Sequence, residues 1–154
     1  MITNVIEDKN YQQIMVKQIG EILQYLLDNN EEFSITANIK GISFNPQIPE
    51  SIAEGFSPFT MFTLSNYTYS TIVIEKDTIS FEAGFGKENF GSTVTIPFFA
   101  FFQIVVNDSI LFLNATATVE KYFLEQNKDV SEEGQQNRSR NAFSMNPKNK
   151  ELID

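Results

Sequence analysis

TISFEAGFGKENFGSTVTIPFFAFFQIVV, residues 78–106, is the stretch that decides how this chain is read. Ile79, Phe81, Ala83 and Phe85 alternate with Ser80, Glu82 and Gly84, the period of two that marks a strand with one buried face. A glycine-rich loop follows, and STVTIPFF (92–99) is again strand-like, ending at a proline. The loop nearly spells a phosphate-binding motif. Gly86-x4-Gly91-Ser92 has the spacing, but the lysine needed after the second glycine is missing, and Lys87 follows the first glycine instead. Strand rather than helix comes next, so no helix N-terminus would present amides to a phosphate. The apolar run from Ile96 to Leu113 is broken by Pro97, Gln103 and NDS (107–109), short of the ~20 apolar residues that cross a bilayer as a helix. The expectation is a strand ending at Ile96, a short helix or turn opened by Pro97 in FFAFFQIV, and a further strand in ILFL (110–113).

The same strand style recurs on the N-terminal side. FSITANI (33–39), ISF (42–44), FTMFTLS (59–65) and TIVIEKD (71–77) are short runs of this kind, and EKD reads as a hairpin turn between Ile74 and Thr78. NPQIPESIAEGFSP (45–58), with three prolines and a glycine, reads as a loop. Ahead of all of them, Asp8 to Asn29 is helical. Tyr11, Ile14, Met15, Ile19, Ile22, Leu23, Tyr25, Leu26 and Leu27 recur at three- and four-residue spacings, with Asp8 as N-cap and DNNEE as the stop. The apolar face is broader than one sheet needs, so its excess suits a helix-to-helix dimer contact. The fold class is therefore α+β or mostly β: one helix followed by an antiparallel, strongly aromatic β unit.

Thirteen of the fifteen phenylalanines precede Asn114. Residues 1–114 read as the folded domain and 115–154 as a tail, with a short helix within ATATVEKYFLEQNK (115–128). The remaining DVSEEGQQNRSRNAFSMNPKNKELID (129–154) is polar and reads as flexible, ending in the apolar pair Leu152 and Ile153.

Composition narrows the function. At 154 residues one domain with a real core is expected. There is no cysteine, which removes disulfides, thiolate metal sites and thiol nucleophiles. There is no histidine either, which removes the commonest general base and metal ligand. The N-terminus lacks a basic region before an apolar run, so a cytoplasmic protein is expected. On that reading the four Asn-x-Ser/Thr matches, at Asn66, Asn107, Asn114 and Asn137, are accidents of an Asn-rich composition. A formal charge of −9 argues against a nucleic-acid binder, which needs a basic face, and against a membrane-surface protein. Carboxylate pairs such as Glu31/Glu32 and Asp77 with Glu82 read as solvated surface, so no enzyme, cofactor or metal is expected. Gly84 and Gly86 flank Phe85 at a strand end, where missing Cβ atoms admit a second backbone. That backbone is either a bound peptide beside a sheet edge or the chain's own hairpin loop.

As an ensemble these residues resemble the stringent starvation protein B (SspB) family of bacterial protease adaptors. The likeness covers about residues 11–106. It rests on the helix ending YLLDNN, the strand SITANIKGISF, FTMFTLSNYTYSTIVIEKDTISFEAGFG and STVTIPFFAFFQIV. Its most specific part is D-x-I-x-F-x-A-x-F-G (Asp77 to Gly86) followed by V-x-I-P (Val94 to Pro97). The resemblance implies a helix packed on two small antiparallel sheets in an Sm-like barrel, dimerised through the helix, here at Tyr11, Met15 and Ile22. It implies a groove for SsrA degradation tags or other peptide ligands. That groove would be formed by Phe44 and Pro46, by Asn66, Tyr67 and Thr68 in the loop after FTMFTLS, and by Ala83, Gly84 and Phe85. It also implies docking of the tail, at Leu152 and Ile153, on the N-terminal domain of the ClpX unfoldase, with no catalytic activity. The chain departs from the family's pattern where tag side chains would be read: Gly84 stands where an arginine is common, and SNYT (65–68) replaces an A-P-R-A-like segment.

A tail of about 20 flexible residues spans roughly 25 Å and gives millimolar local concentrations, enough to hold a tagged substrate at an unfoldase through two weak contacts. Two other classes stay open on the residues alone: an acidic dimeric chaperone of the secretion type that wraps a partner's extended segment, and an Sm-like RNA binder, which the acidic charge disfavours.

Overall fold

The computed structural model describes residues 4–124. The chain divides into two units, Met1–Thr118 and Val119–Asp154. Of the second unit, residues 119–124 are described, helical from 120 onward. The expected tail at 129–154, with Leu152 and Ile153, lies outside the described residues.

The first unit opens with the long helix α1 (Lys9–Asp28). The Asp8 carboxylate accepts the Asn10 backbone N–H at 2.7 Å, an N-cap worth about 1 kcal/mol. Past its end, Asn30 takes a φ of 56°, a left-handed turn that asparagine tolerates, and the chain reverses into the first strand. Val16, Ile19, Leu23 and Leu26 form the buried stripe of α1. Gly20 brings the helix close to its neighbour: a Cβ there would lie 3.3 Å from the Phe98 ring.

Eight strands follow: β1 (Phe33–Asn38), β2 (Ser43–Asn45), β3 (Phe59–Leu64), β4 (Val73–Glu75), β5 (Thr78–Phe85), β6 (Phe90–Pro97), β7 (Phe101–Val106) and β8 (Ser109–Leu113). They form two four-stranded sheets, ordered β3-β1-β7-β8 and β2-β6-β5-β4, and every pairing is antiparallel. Among the described residues no pairing joins the two sheets, so they do not close into a barrel. The architecture is thus α+β, with one long helix and two small antiparallel sheets.

The alternation read in the sequence sets which face is buried. Ile79 and Phe81 on β5 and Val94 and Ile96 on β6 point inward and are at most 1 % exposed. Each such side chain contributes about 1.5–3 kcal/mol by leaving water. Phe62 on β3 meets Phe81 on β5 edge to face, with ring centroids 5.6 Å apart, so inner faces of both sheets share one core.

Three expectations need correction. The segment 45–58 is not loop throughout, because Glu50–Ala53 forms a short helix, α2, entered from Pro49. The segment after β3 is not a loop either: Asn66–Ser70 forms α3. A distant side chain makes that helix possible, since Glu32 Oε2 accepts the Asn66 N–H at 2.9 Å and satisfies a donor at its first turn. Finally, Pro97 opens only a 3-10 turn (Phe98–Ala100), after which FFQIVV continues as β7 and pairs with β8 in a hairpin.

The first unit also includes the 3-10 turn Ala115–Thr118. Asn38 Nδ2 donates to the Ala117 carbonyl at 3.0 Å and holds this turn against the end of β1. Just before it, Asn114 is fully buried. Its Nδ2 donates to the Phe101 carbonyl at 2.8 Å, and its Oδ1 accepts from both the backbone and hydroxyl of Thr116.

Candidate functional site: a glycine-floored trough

β5 and β6 form a long hairpin closed by Gly86–Asn89, in which Gly86 has a φ of 75° and Asn89 of 56°. The Asn89 N–H donates to the Gly86 carbonyl at 3.1 Å. The glycine-rich loop therefore joins two strands. On the outer face of this hairpin, opposite the core, the register pairs Ser80 with Thr95, Glu82 with Thr93 and Gly84 with Gly91. The first pair is bridged by its two hydroxyls at 3.0 Å. The last pair has no side chains of its own; the Asn89 amide lies over Gly84, and bare backbone is left at Gly91 in the floor of a trough of about 400 Å³.

Two walls rise on either side of this floor. On the β6 side stand Asn45 and Pro46, at the end of β2, joined by a cis peptide bond. Asn45 lies opposite Thr93, and Ser92 Oγ donates to the Pro46 carbonyl at 2.8 Å, which pins this wall to β6. On the β5 side stand Tyr67 and Thr68 of α3. The Tyr67 hydroxyl donates to Glu82 Oε1 at 2.7 Å and fixes α3 to the strand. That bond, followed by the charge of Glu82, raises the Tyr67 pKa above its ordinary value, because ionising the phenol would lose the donor and set two negative charges together.

The β5 side of the trough also has an open backbone edge. β4 pairs with β5 only over Thr78–Ser80. At the next position on that side, the Glu82 N–H is taken by the Thr71 hydroxyl at 2.8 Å rather than by a strand. Two residues on, the Gly84 peptide group points the same way, and among the described residues no strand pairs with it there. An edge of this kind is what an extended chain uses to add itself to a sheet.

The expected site residues divide in two. Pro46, Tyr67, Thr68, Ala83 and Gly84, drawn from three separate stretches of sequence, line this one trough. Phe44 and Phe85 do not line it. They point to the opposite face, where they form an aromatic cluster with Phe56, at ring-centroid distances of 5.6–5.8 Å. They support the hairpin from beneath. Asn66 lines no part of the trough but anchors α3 through Glu32.

Sequence reasoning missed Asn45, Glu82, Asn89, Gly91, Ser92 and Thr93, which also line the trough. The signal for two of them was present: Glu82 and Gly84 share one face of β5 by alternation. Among the described residues no group of three or more His, Cys, Asp or Glu side chains comes together, and the trough has a single carboxylate. No helix of the described residues is long and apolar enough to cross a membrane. No protein-family model matches the chain, and no curated protein matches it.

Proposed function

We propose that the chain is a peptide-binding adaptor of the SspB type, which takes degradation tags of the SsrA class as extended peptides and tethers the tagged proteins to the ClpX unfoldase. The observation that carries this reading is convergence: Pro46, Tyr67, Thr68, Ala83 and Gly84 come from three stretches and line one trough beside an open strand edge. A groove of that volume with a backbone floor suits an extended peptide. The order of one helix and two small antiparallel sheets supports the reading at the level of architecture, while the closed Sm-like barrel expected from the resemblance is not formed among the described residues. On this reading the trough binds and releases its ligand unchanged, and degradation is left to the protease.

The helix supports the dimer on this reading. Tyr11, Met15 and Ile22 are only half-buried beside the core stripe, and Ile14 and Tyr25 on the same flank are 54 % and 64 % exposed. These side chains continue one apolar flank along α1 and would pack against the same flank of a second copy. Replacing Ile22 with Glu should convert a dimer at micromolar concentration to a monomer, as read by light scattering. The docking pair for ClpX is Leu152 and Ile153.

Titration of fluorescent SsrA-tag peptides, followed by anisotropy, tests the groove, with Gly91→Gln, whose side chain would rise from the floor into open space, as the blocked control. Saturable low-micromolar binding that the substitution abolishes is the expected result. Replacing Leu152 and Ile153 with Ala should then leave tag binding intact and remove delivery to ClpXP. Normal delivery by that variant would refute the docking claim.

A second reading draws on a different surface. Ile110, Leu111 and Leu113 of the edge strand β8 are 60 %, 50 % and 53 % exposed, and the strand carries no charge. A chaperone for an extended segment of a partner protein would use such an edge. Tag binding by the trough with no effect from charged substitutions in β8 favours the adaptor; the converse favours the chaperone.

A further inference from the structure

Of the side chains that line the trough, only Glu82 carries a charge; no lysine or arginine is among them. Glu82 is exposed and its surroundings are specific. Its Oε1 accepts from the Tyr67 hydroxyl, and among the described residues no donor is placed on Oε2. Directly across the strand pair lies Thr93, and beyond it Asn45, both neutral. Asn89, at the hairpin end, is neutral as well. The amides and hydroxyls can donate or accept and so are indifferent to the sign of a ligand. The carboxylate is not. A second anion brought into a trough that is partly shielded from water would be repelled, and a cation would gain a charge-assisted hydrogen bond. The whole chain adds to this bias with its formal charge of −9.

Resting on the peptide-groove reading above, we infer that the trough selects extended peptides carrying a lysine or arginine at the position that falls over Glu82, and discriminates against acidic residues there. The open floor at Gly91, over which a Cβ would meet nothing within 4 Å, gives the aliphatic stem of such a side chain room to lie flat. The second carboxylate oxygen receives its ammonium or guanidinium. Tyr67 holds the carboxylate in place from the other side, so the acceptor is oriented before the ligand arrives.

The test uses the full-length chain and fluorescein-labelled heptapeptide libraries, randomised except at one position fixed as Lys, Gln or Glu, with anisotropy as the readout. At one position, or two neighbouring ones, the Lys library should bind about fivefold tighter than the Gln library and about thirtyfold tighter than the Glu library, the range between an exposed ion pair and a partly shielded one. Glu82→Gln should make the Lys and Gln libraries bind alike at that position, and Glu82→Lys should reverse the order of Lys and Glu. Binding without any positional charge preference would overturn the inference and leave the peptide groove standing. A lysine preference spread evenly over all positions and unchanged in Glu82→Gln would also overturn it, because the net charge alone would then be acting. If no library binds to the folded protein, the peptide groove falls and this inference with it.

Discussion

Gly84 and Gly91 face one another across β5 and β6, yet only one of them is covered. A Cβ built on Gly84 would overlap the Asn89 side-chain amide, whereas one built on Gly91 would meet no described atom within 4 Å. The first glycine makes room for a neighbour within the chain. The second makes room for nothing that the chain itself supplies.

That difference separates stability from binding. Gly91→Val places a β-branched residue in a strand over open space, so the fold should be unharmed or stabilised by about 0.5–1 kcal/mol. The same methyl groups occupy the floor of the trough and should weaken peptide binding more than tenfold. Urea unfolding and anisotropy, run on one preparation, read both; a variant that binds normally would remove Gly91 from the site.

Gly86 should behave in the opposite way. Its φ of 75° is costly for any residue with a Cβ, and that Cβ would come within 2.9 Å of Ile52 Cδ1. Gly86→Ala is expected to lose about 1–2 kcal/mol, seen as a lower urea midpoint at unchanged slope.

The Tyr67–Glu82 hydrogen bond predicts a titration. Tyr67 should ionise above the usual tyrosine value of about 10, and Glu82→Gln should bring it back down. Since the folded-state pKa is the raised one, the bond's contribution is fully present below the unfolded value and is lost as pH rises through the folded one. Ultraviolet difference titration of the wild type against Tyr67→Phe isolates this phenol. Identical titration in Glu82→Gln would show that the bond does not form in solution.

Buried Asn114 should be among the positions least tolerant of change. Asn114→Ala removes the partners of the Phe101 carbonyl and of two Thr116 donors inside the protein. Leaving such groups unsatisfied costs about 1–3 kcal/mol each before relaxation, so a loss of about 3 kcal/mol or more is expected by chemical denaturation. A loss under 1 kcal/mol would mean that water reaches the site.

Where pattern and local chemistry agree, the fold was legible. Asp8 reads as an N-cap and is one, and the alternation in FSITANI and TISFEAGF marks the buried faces of β1 and β5 correctly. The short helix α3 was not legible, because NYTYS has no helical pattern of its own and its first turn is satisfied by Glu32, over thirty residues away. β7 was hidden for another reason: FFQIVV is too uniformly apolar to show a period of two, and the proline ahead of it suggested a helix or turn. At the site, the resemblance led to Pro46, Tyr67, Thr68, Ala83 and Gly84. It did not lead to Asn45 or Thr93, whose facing depends on the register of β2 and β6. Phe44 and Phe85 lie near the trough along the chain but point to the other face, a distinction that one step of alternation decides.

The hairpin carries two glycines side by side near its tip, and its last rungs are only half covered by side chains: Asn89 lies over Gly84, and no described atom lies over Gly91. A bound peptide would supply the atoms that those rungs lack. Occupancy should therefore register as slower amide exchange along residues 82–93 as well as in affinity. The hairpin is a scaffold whose stiffness at one end is completed by its cargo.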